Sequence, residues 1–150
     1  MPPNFKFVDL FAGLGGFHYA LKSIGGECVF ASEINKTLRE LYIKNHHIKP
    51  TLMHGDIAEC TDKVPDHDLL AAGFPCQPFS KSGKQLGFED NIRGDCIFYA
   101  LDIIKKKKPK YFILENVGNF ARHNDGNSWK DIQFELRELG YTVRSTSDSI

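Results

Sequence analysis

The chain has 150 residues, in which 19 Lys and Arg balance 19 Asp and Glu, and 41% of the residues are hydrophobic. This composition suits one folded domain with a buried core and excludes intrinsic disorder, collagen and coiled-coil structures. Apolar stretches are far shorter than the ~18 residues of a membrane span and no secretory leader opens the chain, so we expect a soluble, cytoplasmic protein without membrane contact.

The first half of the chain alternates predicted strands with predicted helices. Residues 5–11 form an apolar run typical of a buried strand, and a glycine-rich turn leads from them into a helix over 17–24. A second strand is predicted over 28–32. Asn35 is positioned to cap a helix that ends near Asn45, and a short strand follows near 51–54.

The second half continues the alternation after one long interruption. A strand is predicted over 69–72, whereas residues 73–94 have no helical or strand pattern, which in a compact domain indicates a functional segment. The remaining predicted elements are a helix over 96–107, a strand over 111–114, a helix over 128–139 and a last strand over 141–144. Continuously apolar strands that alternate with helices predict an α/β fold, with a doubly wound, mostly parallel sheet covered on both faces.

Glycines and two acids are predicted to lie at the C-terminal edge of this sheet, where ligands bind in such folds. The turn from Gly13 to Gly16 lets backbone N–H groups approach a ligand, Glu33 follows the second strand within reach of ribose hydroxyls, and Asp56 follows the third. A dinucleotide fingerprint would need glycine where His18 stands, which argues against a dehydrogenase. The alternative is that the glycines serve only helix packing and the acids are solvated.

A cysteine between two prolines follows the fourth predicted strand. Pro75 and Pro78 stiffen the loop that contains Cys76, at the mouth of the sheet where a nucleophile is useful and where thiolate must be favoured. Glu115 ends the fifth strand at the same edge and can supply a proton. Either residue alone can be structural; together they indicate covalent catalysis. The four cysteines are widely spaced without a C-x-x-C pair, so neither a disulfide framework nor a metal site is predicted.

Taken in order, several segments resemble the motifs of DNA cytosine-5 methyltransferases of bacterial modification systems. These segments are residues 9–17, Glu33, 55–57, 73–80, 93–94 and 115–117. The Pro-Cys-Gln and Glu-Asn-Val elements, at 75–77 and 115–117, carry the resemblance most specifically, and it extends over the whole chain. The resemblance implies a Rossmann-like methyltransferase fold, S-adenosyl-L-methionine as cofactor and double-stranded DNA as partner.

The resemblance also implies residue roles. Cys76 would attack C6 of a cytosine flipped out of the duplex and Glu115 would hold or protonate N3. Glu33 would bind the ribose of the cofactor, Asp56 its adenine amino group and Ile57 the ring. The full implied cofactor-binding set is Phe11, Ala12, Gly13, Leu14, Gly15, Gly16, Glu33, Ile34, Asp56, Ile57 and Pro75. The residues implied to contact DNA are Gln77, Ser80, Lys81, Lys84 and Arg93.

Other parts of the family pattern do not occur in the 150 residues. The family continues with a Gln-x-Arg-x-Arg element, a target-recognition domain and a final helix. We therefore expect residues 1–150 to be the N-terminal portion of a methyltransferase catalytic domain, C-terminally incomplete, as a truncated gene, a fragment or one subunit of a split enzyme completed by a second polypeptide. Two alternatives remain: a non-catalytic remnant that at most binds cofactor, and a transfer-RNA cytosine-5 methyltransferase. The neutral charge fits a portion devoted to cofactor and chemistry.

Overall fold

The computed structural model of the chain describes residues 3–75, 96–116 and 127–145. The chain forms two compact units, Met1–Glu115 and Asn116–Ile150. The strands described in the first unit are β1 (Phe5–Leu10), β2 (Gly26–Ser32), β3 (Met53–His54), β4 (Leu69–Gly73) and β5 (Tyr111–Glu115). Its described α-helices are α1 (Gly16–Ser23), α2 (Lys36–His46) and α3 (Cys96–Lys107), and the second unit contains α4 (Asn127–Glu138).

The five strands form one all-parallel sheet in the order β3-β2-β1-β4-β5. From β1 the chain first winds outward through β2 to β3, then returns to the other side of β1 and winds outward through β4 to β5. Right-handed crossovers in opposite directions place their helices on opposite faces. The sheet is therefore doubly wound, as predicted, and its switch point lies between β1 and β4, where ligands bind in this class.

The core is built on the central strands. Phe7, Val8 and Leu10 of β1 are fully buried, as are Leu70 and Ala71 of β4. Burial of successive residues means that both faces of these strands are covered, which explains why parallel strands read as continuous apolar runs. The edge strand β5 differs from this prediction because its side chains alternate between exposed and half-buried positions, with Tyr111 58% exposed and Ile113 40% exposed.

Most predicted elements are present with small changes at their ends. The cap of α2 is confirmed, since the Asn35 side chain accepts a hydrogen bond from the backbone N–H of Leu38 at 3.1 Å. The strand predicted over 5–11 ends at Leu10, because Phe11 turns into the left-handed region with φ of 55°. The strand predicted near 51–54 is shortened to β3, since residues 50–52 form a 3-10 turn.

The strand predicted over residues 141–144 is wrong. Residues 141–145 contain neither helix nor strand, and within the described ranges no strand pairs with them. A strand needs a partner for its backbone groups, whereas here the N–H of Tyr141 donates to the carbonyl of Leu136 at 3.1 Å and closes the end of α4. Tyr141 thus belongs to the C-terminal end of α4, and residues 141–145 form no strand.

A buried polar network joins β1 to α1 and α2. Asp9 is 1% exposed, and its carboxylate accepts a hydrogen bond from the Tyr42 hydroxyl at 3.0 Å. The same hydroxyl lies 2.8 Å from Nδ1 of His18. Burial raises the pKa of Asp9 to about 7, while burial and the nearby charge of His46 lower the pKa of His18 to about 4. Folding therefore changes the protonation of both groups in the mildly acidic range.

Asp9→Asn is expected to make the stability of the chain rise more steeply with pH between about pH 4.5 and 6.5. A carboxyl with a raised pKa keeps its proton when folded, so its contribution to stability falls as pH rises; neutral His18 contributes the opposite slope. Each slope is about 1.4 kcal/mol per pH unit, and in the native chain the two oppose each other. Removing the Asp9 slope leaves that of His18. Urea unfolding of both proteins across this range measures the difference, and parallel curves would contradict it.

Candidate functional site

The turn after β1 is shaped by residues in the left-handed backbone region. Phe11 and Gly13 both have φ of 55°, and Gly15, which precedes the first residue of α1, has φ of 84°. The N–H of Ala12 donates to the carbonyl of Ser32 at 2.9 Å, which keeps the turn beside the end of β2. Glycine suits such angles without steric cost. The turn therefore places backbone N–H groups and the start of a helix at the C-terminal edge of the sheet.

Glu33, directly after β2, is held by backbone donors from two segments. Its Oε2 accepts from the N–H of Gly13 at 2.9 Å, and its Oε1 accepts from the N–H of Asn35 at 2.9 Å. The Arg39 guanidinium donates to the carbonyls of Glu33 and Ile34, both at 2.8 Å. The two hydrogen bonds that the Glu33 carboxylate accepts from Gly13 and Asn35 are stronger than bonds between neutral groups, and they fix its orientation. A fixed carboxylate beside the turn is suited to receive hydroxyl groups of a ligand.

Asp56 and Ile57 follow β3 at the same edge. Asp56 begins a 3-10 turn over Ile57–Glu59, and its Oδ1 accepts from the N–H of Ala58 at 2.9 Å. The Cys60 thiol also donates to the Asp56 carbonyl at 3.2 Å. The Asp56 side chain is thus fixed at the start of this turn, while Ile57 is only 4% exposed and supplies an apolar wall beside it.

A cleft of about 340 Å³ collects these groups, a volume in the range of small-molecule sites. Predicted residues that line it are Phe11, Glu33, Ile34, Asp56, Ile57 and Pro75. Lining residues that the sequence did not identify are Ser32, Gly55, Gly73, Cys96 and Tyr99. Of the other predicted cofactor residues, Gly13 reaches the cleft through its bond to Glu33, and the lining does not include Ala12, Leu14, Gly15 or Gly16.

The topology explains two of the missed residues. Because α3 leads into β5, and β5 is parallel to the other strands, the first turn of α3 must lie at the edge where β4 ends. Cys96 and Tyr99 occupy that first turn and so meet the cleft. The parallel direction of β4 and β5, once it is assigned from the sequence, predicts that Cys96 and Tyr99 lie near the cleft.

Glu115 lies next to a glycine on the neighbouring strand. It pairs in register with Gly73, and a Cβ atom built on Gly73 would lie 3.1 Å from Oε2 of Glu115 and 3.5 Å from the ring of Phe17. The missing side chain therefore leaves the room that the Glu115 carboxylate occupies. Glu115 does not line the cleft, but it stands at the end of β5 beside the strand that leads to Pro75.

Six predicted residues lie outside the described ranges. They are Cys76, Gln77, Ser80, Lys81, Lys84 and Arg93. Their roles remain predictions from the sequence. Within residues 3–75, 96–116 and 127–145, no helix has the length and apolar character needed to cross a bilayer.

The chain is similar in sequence to known DNA methyltransferases. The family model for C-5 cytosine-specific DNA methylase matches residues 5–146. The chain is 50% identical over 141 residues to the type II methyltransferase M.HhaI of Haemophilus parahaemolyticus, covering 93% of this chain and 42% of that protein. It is 47% identical over 141 residues to the type II methyltransferase M.HaeII of Haemophilus aegyptius, covering 93% of this chain and 43% of that protein.

Among solved structures, the Dnmt2 methyltransferase of S. pombe is similar in fold. The two superpose with a TM-score of 0.69 at 27% sequence identity, over 93% of this chain and 41% of the other. The chain thus spans less than half the length of each of these three relatives.

Proposed function

The chain belongs to the C-5 cytosine-specific DNA methylase family, whose model spans residues 5–146, and on that premise we propose that it transfers a methyl group to C5 of cytosine in double-stranded DNA. The observation that carries the proposal is the Glu33 carboxylate, held by the N–H groups of Gly13 and Asn35 beside a ligand-sized cleft. Like the related type II methyltransferases, it would modify DNA as part of a restriction-modification system, and we assign it to the cytoplasm.

Enzymes of this family depend on S-adenosyl-L-methionine, and the residues of the cleft fit that molecule. Glu33 would accept hydrogen bonds from the ribose hydroxyls, Asp56 would accept from the adenine amino group, and Ile57 and Phe11 would contact the ring. The backbone of the turn from Gly13 to Gly16, with Ala12, Leu14 and Gly15, would border the amino-acid end, and Ile34 and Pro75 would close the sides. When bound, the cofactor supplies a methyl group on an electrophilic sulfonium.

Cys76 would act as the nucleophile. Its thiolate would form a bond to C6 of a cytosine that has left the base stack, since that atom cannot be reached inside the duplex. The electron pair displaced from the C5–C6 double bond makes C5 nucleophilic, and a proton held by Glu115 at N3 stabilises the negative charge in the ring. After methylation, loss of the C5 proton restores the double bond and expels the Cys76 thiolate.

DNA contacts would come from the segment after β4. Lys81, Lys84 and Arg93 would meet phosphates, which fix the register of a protein on DNA without reading its sequence. Gln77 and Ser80, close to Cys76 in the sequence, would lie near the flipped base. These assignments follow the motif positions of the family.

The remainder of the enzyme would come from further protein. The chain covers 42% of its H. parahaemolyticus relative, so we assign residues 1–150 to the N-terminal portion of the catalytic domain. A second polypeptide, or a continuation of the same one, would supply target recognition. Among the described residues β5 is an edge strand, on which Tyr111 and Ile113 are exposed, and it would offer a surface for such protein.

Two measurements test the proposal. Calorimetry of the chain with S-adenosylhomocysteine should show saturable binding, because all described residues that line the cleft belong to the first unit; the absence of binding would favour a non-catalytic remnant that does not bind cofactor. Mixing the chain with the part of the H. parahaemolyticus relative that it does not match, 58% of that protein, should give cytosine methylation of DNA, while the chain alone should give none. Methylation of transfer RNA in place of DNA would identify the alternative substrate.

A further inference from the structure

The turn from Gly13 to Gly16, called the glycine turn below, is contacted by His46, the last residue of α2. Nε2 of His46 lies 2.8 Å from the carbonyl oxygen of Leu14, so the imidazole N–H donates to the tip of the turn. The same ring lies against the backbone of Gly15, where a Cβ atom would overlap it. A hydrogen bond and a close packing contact thus fix two successive residues of the turn through one side chain.

The His46 ring is itself fixed on both sides. It lies against the ring of His18, with the centroids 4.2 Å apart and the planes tilted by 30°, and against the ring of Tyr42, with the centroids 4.6 Å apart. His18 and Tyr42 belong to the buried network of Asp9, so the ring rests on a rigid support. A side chain with so few free rotations loses little entropy when it makes its hydrogen bond.

The other end of α2 contacts Glu33, a residue that lines the cleft. The N–H of Asn35, the cap of the helix, donates to Glu33, and Oε2 of Glu33 accepts from Gly13 in the turn. One helix therefore sets the spacing between the carboxylate and the glycine turn, through Asn35 at its start and His46 at its end.

We propose that His46 is a positioning residue for cofactor binding, which acts by holding the Leu14 carbonyl and so orienting the N–H groups of the glycine turn. This inference rests on the proposed function. The turn bends through three left-handed residues, and without an anchor it would sample other conformations that bind the cofactor less well. The ligand would then have to order the turn on binding, which lowers its affinity.

Three variants separate the hydrogen bond from general packing. His46→Leu fills similar space without an N–H, whereas His46→Gln carries an amide N–H that can reach the same carbonyl. His47→Asn is the control, because His47 is the exposed neighbour of His46 just beyond the helix and its left-handed backbone, with φ of 53°, tolerates asparagine. Calorimetry with S-adenosylhomocysteine should show about five- to tenfold weaker binding for His46→Leu, the effect of one lost hydrogen bond, and binding within about threefold of the native chain for the other two.

Amide hydrogen exchange in the ligand-free chain gives a second readout. The N–H of Gly15 donates to the carbonyl of Ala12 at 2.8 Å inside the turn, so its exchange should accelerate several-fold in His46→Leu and remain near the native rate in His46→Gln. Equal effects of Leu and Gln at His46, or native affinity in His46→Leu, would overturn the inference. A native chain that does not bind S-adenosylhomocysteine would overturn the proposed function, while the exchange rates would still report on the anchor.

Discussion

Cys76→Ser is expected to abolish methyl transfer by the complemented enzyme, with a rate loss on the order of 10³-fold or more. A thiol with a pKa near ~8.5 is partly ionised at neutral pH and can be ionised further by its surroundings, whereas a serine hydroxyl stays protonated and needs a strong base. The substitution changes one atom, so cofactor binding by the cleft residues should remain. Methylation of DNA measured with labelled cofactor, alongside the calorimetric affinity for S-adenosylhomocysteine, separates chemistry from binding.

A matched control and a trapping experiment sharpen this prediction. Cys28→Ser makes the same chemical change at a buried cysteine of β2 that does not line the cleft, and it should retain methyl transfer. In the presence of S-adenosyl-L-methionine, DNA that contains 5-fluorocytosine should form a stable covalent adduct with the native complemented enzyme, because after methyl transfer the fluorine cannot leave C5 as a proton does. The Cys76→Ser protein should form none. Methyl transfer that survives in Cys76→Ser would refute the nucleophile.

Predictions that depend on local chemistry were accurate. Asn35 was identified as a helix cap from its residue type and position, and its side chain accepts the capping bond. Apolar runs such as that of β1 predict a mostly parallel sheet, because strands buried on both faces need not alternate apolar and polar residues, and the five described strands are all parallel. The sequence predicts Glu33 and Asp56 at the ends of strands, where the structure has them and where both line the cleft; their roles toward a ligand stay predictions.

Features that depend on tertiary contacts could not be predicted from the sequence. Phe11 has a positive φ, which an aromatic residue seldom adopts, and only the surrounding fold holds it there. His46 contacts Leu14, which is 32 positions away in the chain, and no residue pattern near either one indicates the pairing. The strand predicted over 141–144 failed for a related reason, since a strand exists only with a partner and the sequence pattern does not supply one.

Glu33→Gln is expected to weaken binding of S-adenosylhomocysteine on the order of 10²-fold, since hydrogen bonds to a charged group contribute about 1.5–3 kcal/mol each. Both carboxylate oxygens now accept backbone N–H groups, from Gly13 and Asn35. A glutamine presents one oxygen and one NH₂ group, so one of these two donors would face another donor. The substitution therefore disturbs the turn as well as the charge that would hold the ribose.

The design of the Glu33 experiment separates these two effects. Glu40→Gln is the matched control, because Glu40 lies exposed on α2 and its loss removes the same charge outside the cleft; it should bind as the native chain does. An S-adenosylhomocysteine analogue that lacks the ribose 2′-hydroxyl should already bind the native chain weakly, and Glu33→Gln should weaken it further by much less than it weakens the parent compound. If the analogue and the parent compound lose affinity equally, the carboxylate serves only to hold the turn, and the ribose is bound by other groups.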